Sequence, residues 1–264
     1  MVDIQSIRAP LFVPANRPER FAKAASSGAD AVILDLEDGV PIDAKEFARA
    51  SLNTSFTTLP VFVRINAVES AWHAKDLVAI FRLPFAAVIL PKVEDAAICT
   101  SVAEITGKPI VALIESAKGL ANARAIASAS GICRLAFGSV DYCADVSCSH
   151  LQEVLLPARS EIVLASRLGC IAGPLDGITL QLDNPSACRN DATHAKNLGM
   201  SGKLCIHPKQ VPEIKSVFTS SELEIRWAER VLASGGGAIA VDGQMVDEPV
   251  RIRARAILSK VVEK

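Results

Sequence analysis

The chain has 264 residues, half of them hydrophobic, enough for one large core. Its formal net charge of −1, with both signs well mixed, excludes an electrostatic case for nucleic acid or an anionic membrane surface. No apolar run approaches the roughly 18 residues of a membrane span.

The opening MVDIQSIRAP lacks the apolar core of a signal peptide. Seven scattered cysteines form no CxxC pair and read as reduced thiols, so a cytoplasmic location is expected. His73, His150, His194 and His207 show no HxxxH spacing, which argues against zinc.

Apolar runs then alternate with helical patterns. A strand over Ala9–Ala15 precedes a helix over Pro18–Gly28, with Pro near its start and Gly after its end. A buried strand over Asp30–Asp38 follows, then a helix that Asp43 would cap. Val61–Asn66, Ala87–Pro91, Pro109–Glu115 and Ile132–Gly138 give four more strands, with helices near Ala71–Phe81, Asp95–Thr106 and Gly119–Ser130 between them. A long amphipathic helix over Gln152–Leu168, a strand within Ala172–Leu182, a helix over Ser186–Leu198 and a short strand over Gly202–Ile206 complete the series. Pro212–Phe218 would be the last barrel helix.

Eight strand–helix units with short connections predict an α/β fold, a closed (β/α)8 TIM barrel. The absence of GxGxxG after the first strand weakens a dinucleotide fold. The barrel is expected over residues 1–220. Residues 221–264 are expected to form a C-terminal helical extension that packs on the barrel or on a neighbouring subunit. There Ser221 would cap a helix to Ala233 with Leu223, Trp227 and Val231 on one face. Gly235–Gly237 makes a loop, and the segment from Asp242 to Val250 leads to a basic helix over Arg251–Val262.

Barrel enzymes carry their chemistry at the C-terminal ends of the strands. Those ends supply Glu37 and Asp38, Arg64 and Asn66, Lys92, Glu115 and Ser116, then Ser139 and Asp141. Strict alternation puts Asp35 and Glu37 on one face of their strand and Asp38 on the other. Glu115 and Asp141, on adjacent strands with only oxygen ligands nearby in sequence, suit Mg²⁺. Glu37 and Asp38 would accept from metal-bound waters. The plainer alternative has these acids capping helices or pairing with Arg and Lys at the rim. Arg64, among apolar neighbours, is placed to bind a substrate carboxylate or enolate oxygen, or else to pair with Glu37 or Asp38. Lys92 is either a Schiff-base lysine or a structural or phosphate-facing one. Arg17, Arg20 and Lys23 face either the phosphates of coenzyme A or solvent.

The segments RAPLFVPANRPERFAKA, DAVILDLEDGV, VFVRIN, AVILPKVE, ALIESAKGL, LAFGSVDYCAD, GKLCIHPKQ and GQMVDEPV occur in this order. Together they resemble the citrate lyase β-subunit (CitE-like) family of the HpcH/HpaI aldolase superfamily, whose relatives include malyl-CoA and citramalyl-CoA lyases. The resemblance implies a Mg²⁺-dependent barrel enzyme, a lyase that makes or breaks a carbon–carbon bond beside an acyl thioester. By position it makes Glu115 and Asp141 the metal ligands, Glu115 also a substrate contact, and Arg64 the substrate-binding arginine. Glu37 and Asp38 become the acids holding metal waters. Asp247 matches the acid that larger relatives deliver from a neighbouring subunit for proton transfer. The implied partners are an acyl-CoA or acyl-carrier thioester and a small oxo acid, in a homotrimer or homohexamer. FGSVDYCAD and Gly39-Val40 depart from the commoner family runs and leave substrate choice open. Two alternatives stand beside the lyase: a Mg²⁺-dependent aldolase acting on free 2-oxo acids, and a non-catalytic acyl-carrier-binding subunit.

Overall fold

A computed structural model describes residues 3–241 and 243–262. Asp242, the first residue of the segment singled out above, lies outside the described residues. The contact pattern divides the chain into two compact units, 1–218 and 219–264.

In the first unit eight parallel strands follow one another around a barrel in sequence order. They are β1 (Pro10–Pro14), β2 (Ala31–Asp35), β3 (Val61–Arg64), β4 (Ala87–Leu90), β5 (Ile110–Ile114), β6 (Ile132–Phe137), β7 (Ala172–Asp176) and β8 (Gly202–Lys203). Backbone bonds from Phe12 N to Cys205 O (2.9 Å), Lys203 N to Arg8 O (2.8 Å) and Cys205 N to Pro10 O (3.0 Å) join the last strand region to the first. The closed (β/α)8 barrel is therefore the fold of this unit.

The helices between the strands are α1 (Phe21–Ala25), α2 (Lys45–Ala50), α3 (His73–Phe81), α4 (Ala96–Thr106), α5 (Ala117–Ala121), α6 (Ala123–Ala127), α7 (Ser139–Val146), α8 (Gln152–Leu168), α9 (Pro185–Asn197) and α10 (Gln210–Phe218). Among the described residues no helix is long and apolar enough to cross a membrane.

Alternation along each strand sorts the core into two layers. Ala31, Ile33, Phe62, Ile89, Val111, Leu113 and Ala136 fill the barrel. Val32, Leu34, Val63, Val88, Leu90, Ala112 and Ile114 face the helices. The inward rows continue upward into polar residues: Ala31 and Ile33 lead to Asp35, Phe62 to Arg64, Val111 and Leu113 to Glu115. A period of two thus projects these charged groups over the top of the apolar interior.

Some local expectations change. Asp43 does not cap α2; the turn Ile42–Ala44 precedes it, and its N-cap is Pro41, without a side-chain bond. The seventh strand fills only Ala172–Asp176 of the expected stretch, and Gly177 after it leaves no room for a Cβ against Ser139 and Phe137 O. Ser139–Val146 forms α7, a short helix not expected from the sequence.

The second unit holds α11 (Glu222–Ala233), a hairpin of β9 (Ile239–Val241) and β10 (Gln244–Val246), and α12 (Glu248–Val262). Ser221 and Glu224 form a reciprocal capping box on α11. Ala228, Val231, Val246 and Ala254 make its small core, whereas Leu223 is 78% exposed and leaves the expected apolar face. The hairpin was not among the expectations, although the sequence places the pair Asp242-Gly243, a common hairpin signal, at its turn, where Gly243 has φ +76°.

Candidate active site

A cavity of about 220 Å³ opens at the C-terminal ends of the strands. Asp35, Arg64, Glu115 and Asp141 supply its charged wall, and Phe12, Leu113, Phe137 and Ile206 part of its apolar wall.

Arg64 is fixed from three sides. Its Nε and Nη2 donate to Asp35 Oδ1 and Oδ2 at 2.7 and 2.8 Å. Its Nη1 stands 3.0 Å from Glu37 Oε2. The Phe12 ring lies 4.8 Å from its Cζ. Burial disfavours the charge, but Asp35 and Glu37 outweigh it and raise the guanidinium pKa. Burial also opposes ionisation of Asp35, yet Arg64 and the Glu37 and Gly39 amides hold its carboxyl below the usual range. Gly39 is required here: a Cβ would sit 2.5 Å from Asp35 Oδ2.

Glu115 follows β5 directly, and Ser116 then caps α5 through the Gly119 amide at 3.0 Å, which leaves Glu115 little freedom. Its Oε1 accepts from Lys92 N at 2.6 Å. A Cβ on Gly138 would collide with its side chain, so the glycine permits the close approach of β6. Burial, together with the charges of Glu37 and Asp141, pushes the Glu115 carboxyl up to about 8. Asp141 occupies the first turn of α7, where the helix N-terminus favours an anion. It takes no hydrogen bond or ion pair among the described residues.

Glu37 is buried and Asp38 is exposed, but not by the expected strand alternation: β2 ends at Asp35, and the chain then turns with the Glu37 and Gly39 amides on the Asp35 carboxylate. Lys92 Nζ donates to Glu37 Oε1 at 2.7 Å and reaches Asp38 Oδ2 at 3.8 Å. Burial nonetheless raises the Glu37 pKa. Lys45 was missed in the sequence. Its buried ammonium donates to Leu36 O, Glu37 O and Asn66 Oδ1 at 2.6, 2.8 and 2.7 Å, fixing the backbone beneath Glu37. A lysine on a short helix gives no periodic signal for such a role.

A second cavity, about 300 Å³, shares Phe12, Pro14 and Ile206 with the first and is also lined by Arg20, Lys23 and His207. Arg17 lies outside this lining, its Nε 2.7 Å from Glu19 Oε1, an oxygen that Arg20 Nε approaches to 3.9 Å. Asp247 lies in the second unit, between β10 and α12; every residue lining the two cavities belongs to the first. Among the described residues no three His, Cys, Asp or Glu side chains gather as a metal cluster. The acidic pair Glu115 and Asp141 is a smaller arrangement, of the kind Mg²⁺ accepts when it keeps waters.

Fold and site together define a TIM barrel with acidic, arginine-bearing chemistry at its C-terminal mouth. Residues 8–208 match the model of the HpcH/HpaI aldolase/citrate lyase family, and the chain belongs to that family. A citrate lyase subunit beta-like protein of Mycobacterium tuberculosis is 39% identical over 265 residues, covering 96% of this chain and 95% of the relative. A (3S)-malyl-CoA thioesterase of Cereibacter sphaeroides is 30% identical over 96% of this chain and 94% of its own. The crystal structure of protein CitE from Mycobacterium tuberculosis, in complex with magnesium, acetoacetate and coenzyme A, aligns with a TM-score of 0.87 at 36% identity. It covers 98% of this chain and 100% of that one.

Proposed function

We propose that this protein is a Mg²⁺-dependent lyase that cleaves, or in reverse forms, the carbon–carbon bond of a 3-hydroxyacyl thioester. The observation that carries this is the unbalanced wall of the first cavity: Asp35, Glu115 and Asp141 face a single guanidinium, Arg64. Glu115, pushed up to about 8, holds a proton that a divalent cation would displace. The donor set, carboxylates without Cys or His, suits Mg²⁺.

Glu115 and Asp141 would hold the ion, which when bound supplies a Lewis acid for the oxygens of the oxo-acid half. Arg64, held rigid by Asp35, would bind the substrate carboxylate and steady negative charge that grows on the carbonyl oxygen. Glu37 and Asp38 would accept from waters around the ion. Arg20 and Lys23 on the neighbouring cavity would take the phosphates of coenzyme A. Asp247, brought by another copy in a trimer or hexamer, would take the hydroxyl proton as the carbon–carbon bond breaks and return a proton to the acyl carbon of the thioester enolate. In this reading the catalytic barrel spans 1–220, and 221–264 is the extension that carries that acid.

The experiment offers malyl-, citramalyl-, methylmalyl- and citryl-thioesters with and without Mg²⁺, and measures the products. Release of a 2-oxo or oxo acid with a shortened thioester, dependent on Mg²⁺, supports the lyase. The malyl-CoA thioesterase relative favours one second reading, hydrolysis, in which free coenzyme A and an intact hydroxy acid appear instead. Neither product with any of these thioesters, alongside cleavage of free hydroxy-oxo acids, points to the aldolase. Failure of the chain to bind Mg²⁺ rejects the lyase outright.

A further inference from the structure

Lys92 has a backbone that few side chains adopt. Its φ is +50°, in the left-handed region where glycine is the favoured residue. The site gains two bonds from this one position. The left-handed turn after β4 aims Lys92 N at Glu115 Oε1 (2.6 Å), and the side chain carries Nζ to Glu37 Oε1 (2.7 Å). A glycine would make the first bond without strain, but only a long cation makes the second. Glu37 then has a cation at each oxygen: Lys92 at Oε1 and Arg64 at Oε2, 3.0 Å away.

We propose that Lys92 is a positioning residue that separates the two glutamates of the site. Its amide orients Glu115 toward the cavity, and its ammonium withholds Glu37 from becoming a third ligand of the metal. Its 43% exposed side chain is held by Glu37 Oε1, so it acts through that carboxylate. This rests on the proposed Mg²⁺ site. With Lys92 present, Glu37 spends its charge on two cations. Without it, the local potential becomes more negative and one oxygen of Glu37 is released.

Removing the ammonium should therefore bind the metal tighter while slowing turnover, the opposite of losing a ligand. The test compares wild type, Lys92→Gly, Lys92→Arg and Glu37→Gln. Mg²⁺ and Mn²⁺ binding are measured by calorimetry without substrate, and kcat and KM with the best thioester. In Lys92→Gly, metal affinity should rise about threefold to tenfold while kcat falls about tenfold and KM stays within about threefold. Lys92→Arg should restore both. In a Glu37→Gln background, Lys92→Gly should change either quantity by less than about twofold, since the coupling runs through that pair. Unchanged or weaker metal binding in Lys92→Gly, or equal effects in both backgrounds, overturns the proposal. Should the glycine variant not fold, Lys92→Asn, which tolerates the same backbone, takes its place. Wild type that binds no Mg²⁺ defeats the metal site and this inference together. Wild type that binds it, with Lys92 variants behaving otherwise, defeats the inference alone.

Discussion

The Arg64 guanidinium meets the Asp35 carboxylate in a bidentate pair across two neighbouring strands, Nε and Nη2 on the two oxygens at 2.7 and 2.8 Å. Both side chains are largely buried, and β2 and β3 align the two residues directly in register. The pair uses two of the five guanidinium N–H donors and leaves one on Nη2 and two on Nη1 for other partners. Nη1 stands 3.0 Å from Glu37 Oε2.

Asp35 thus sets the direction of Arg64 without itself being needed as a ligand. Asp35→Asn removes the charge and leaves a buried arginine poorly compensated, a change expected to cost about 3 kcal/mol of stability. Urea unfolding gives that loss. Activity per folded molecule should fall at least about tenfold, with most of the loss in kcat because orientation is what is lost. A variant of wild-type stability and rate would show that the pair is incidental.

Much of this was written in the pattern of the strands. The inward rows ending in Asp35, Arg64 and Glu115 follow from a period of two, whereas the division between buried Glu37 and exposed Asp38 belongs to the turn after β2. The long helix Gln152–Leu168 has the bounds its periodicity predicts, because Gly169 ends it. Contacts set by tertiary closure left no such trace. Lys45 reads as one more helix lysine until the barrel brings Asn66 and two carbonyls around its ammonium. The left-handed backbone of Lys92 carries no glycine to announce it. Asp43 looks like a helix cap, yet a 3-10 turn begins one residue earlier and displaces it.

Arg134 belongs to the opposite concern, stability without chemistry. It is fully buried low in the barrel, donating to Gly173 O at 2.7 Å, Ile7 O at 2.7 Å, Ile4 O at 3.0 Å and Ser201 Oγ at 2.6 Å. Burial without a paired carboxylate lowers its pKa to about 10. Arg134→Ala would strand the Ile4 and Ile7 carbonyls, since Gly173 O keeps the Ser201 hydroxyl, and open a void, and should cost about 3–5 kcal/mol by chemical denaturation. Turnover of the remaining folded protein should stay within about twofold of wild type, because no residue of the cavity touches Arg134 through these bonds. A stability change below about 1 kcal/mol would mean that the carbonyls find water.

Gly138 and Glu115 are in such close approach that a methyl group between them must displace the carboxylate. Gly138→Ala is expected to destabilise the fold by about 1–3 kcal/mol, the usual cost of overpacking. Mg²⁺ affinity should fall at least about tenfold, since a ligand moved by a fraction of an ångström no longer matches the ion. Calorimetry on the folded variant separates the two effects. Full metal affinity in this variant would mean that Glu115 has room to reorient.

The carboxyl of Glu115 gives the reading its pH dependence. Its folded value, pushed up to about 8 by burial and then by Glu37 and Asp141, lies above its ordinary value of 4.5. Between those two values the folded chain holds a proton that the unfolded chain has released. Stability without metal should therefore fall as pH rises from about 4.5 to about 8 from this group alone, and level off above. Metal binding runs the other way, because the ion must displace that proton. Apparent Mg²⁺ affinity should rise by about tenfold per pH unit from about pH 6 to about pH 8, with one proton released per ion, and flatten beyond. Calorimetry in buffers of different ionisation enthalpy counts the proton directly. In Glu115→Gln both trends should vanish along with most of the affinity. A pH-independent Mg²⁺ affinity with no proton release would place the ion away from Glu115.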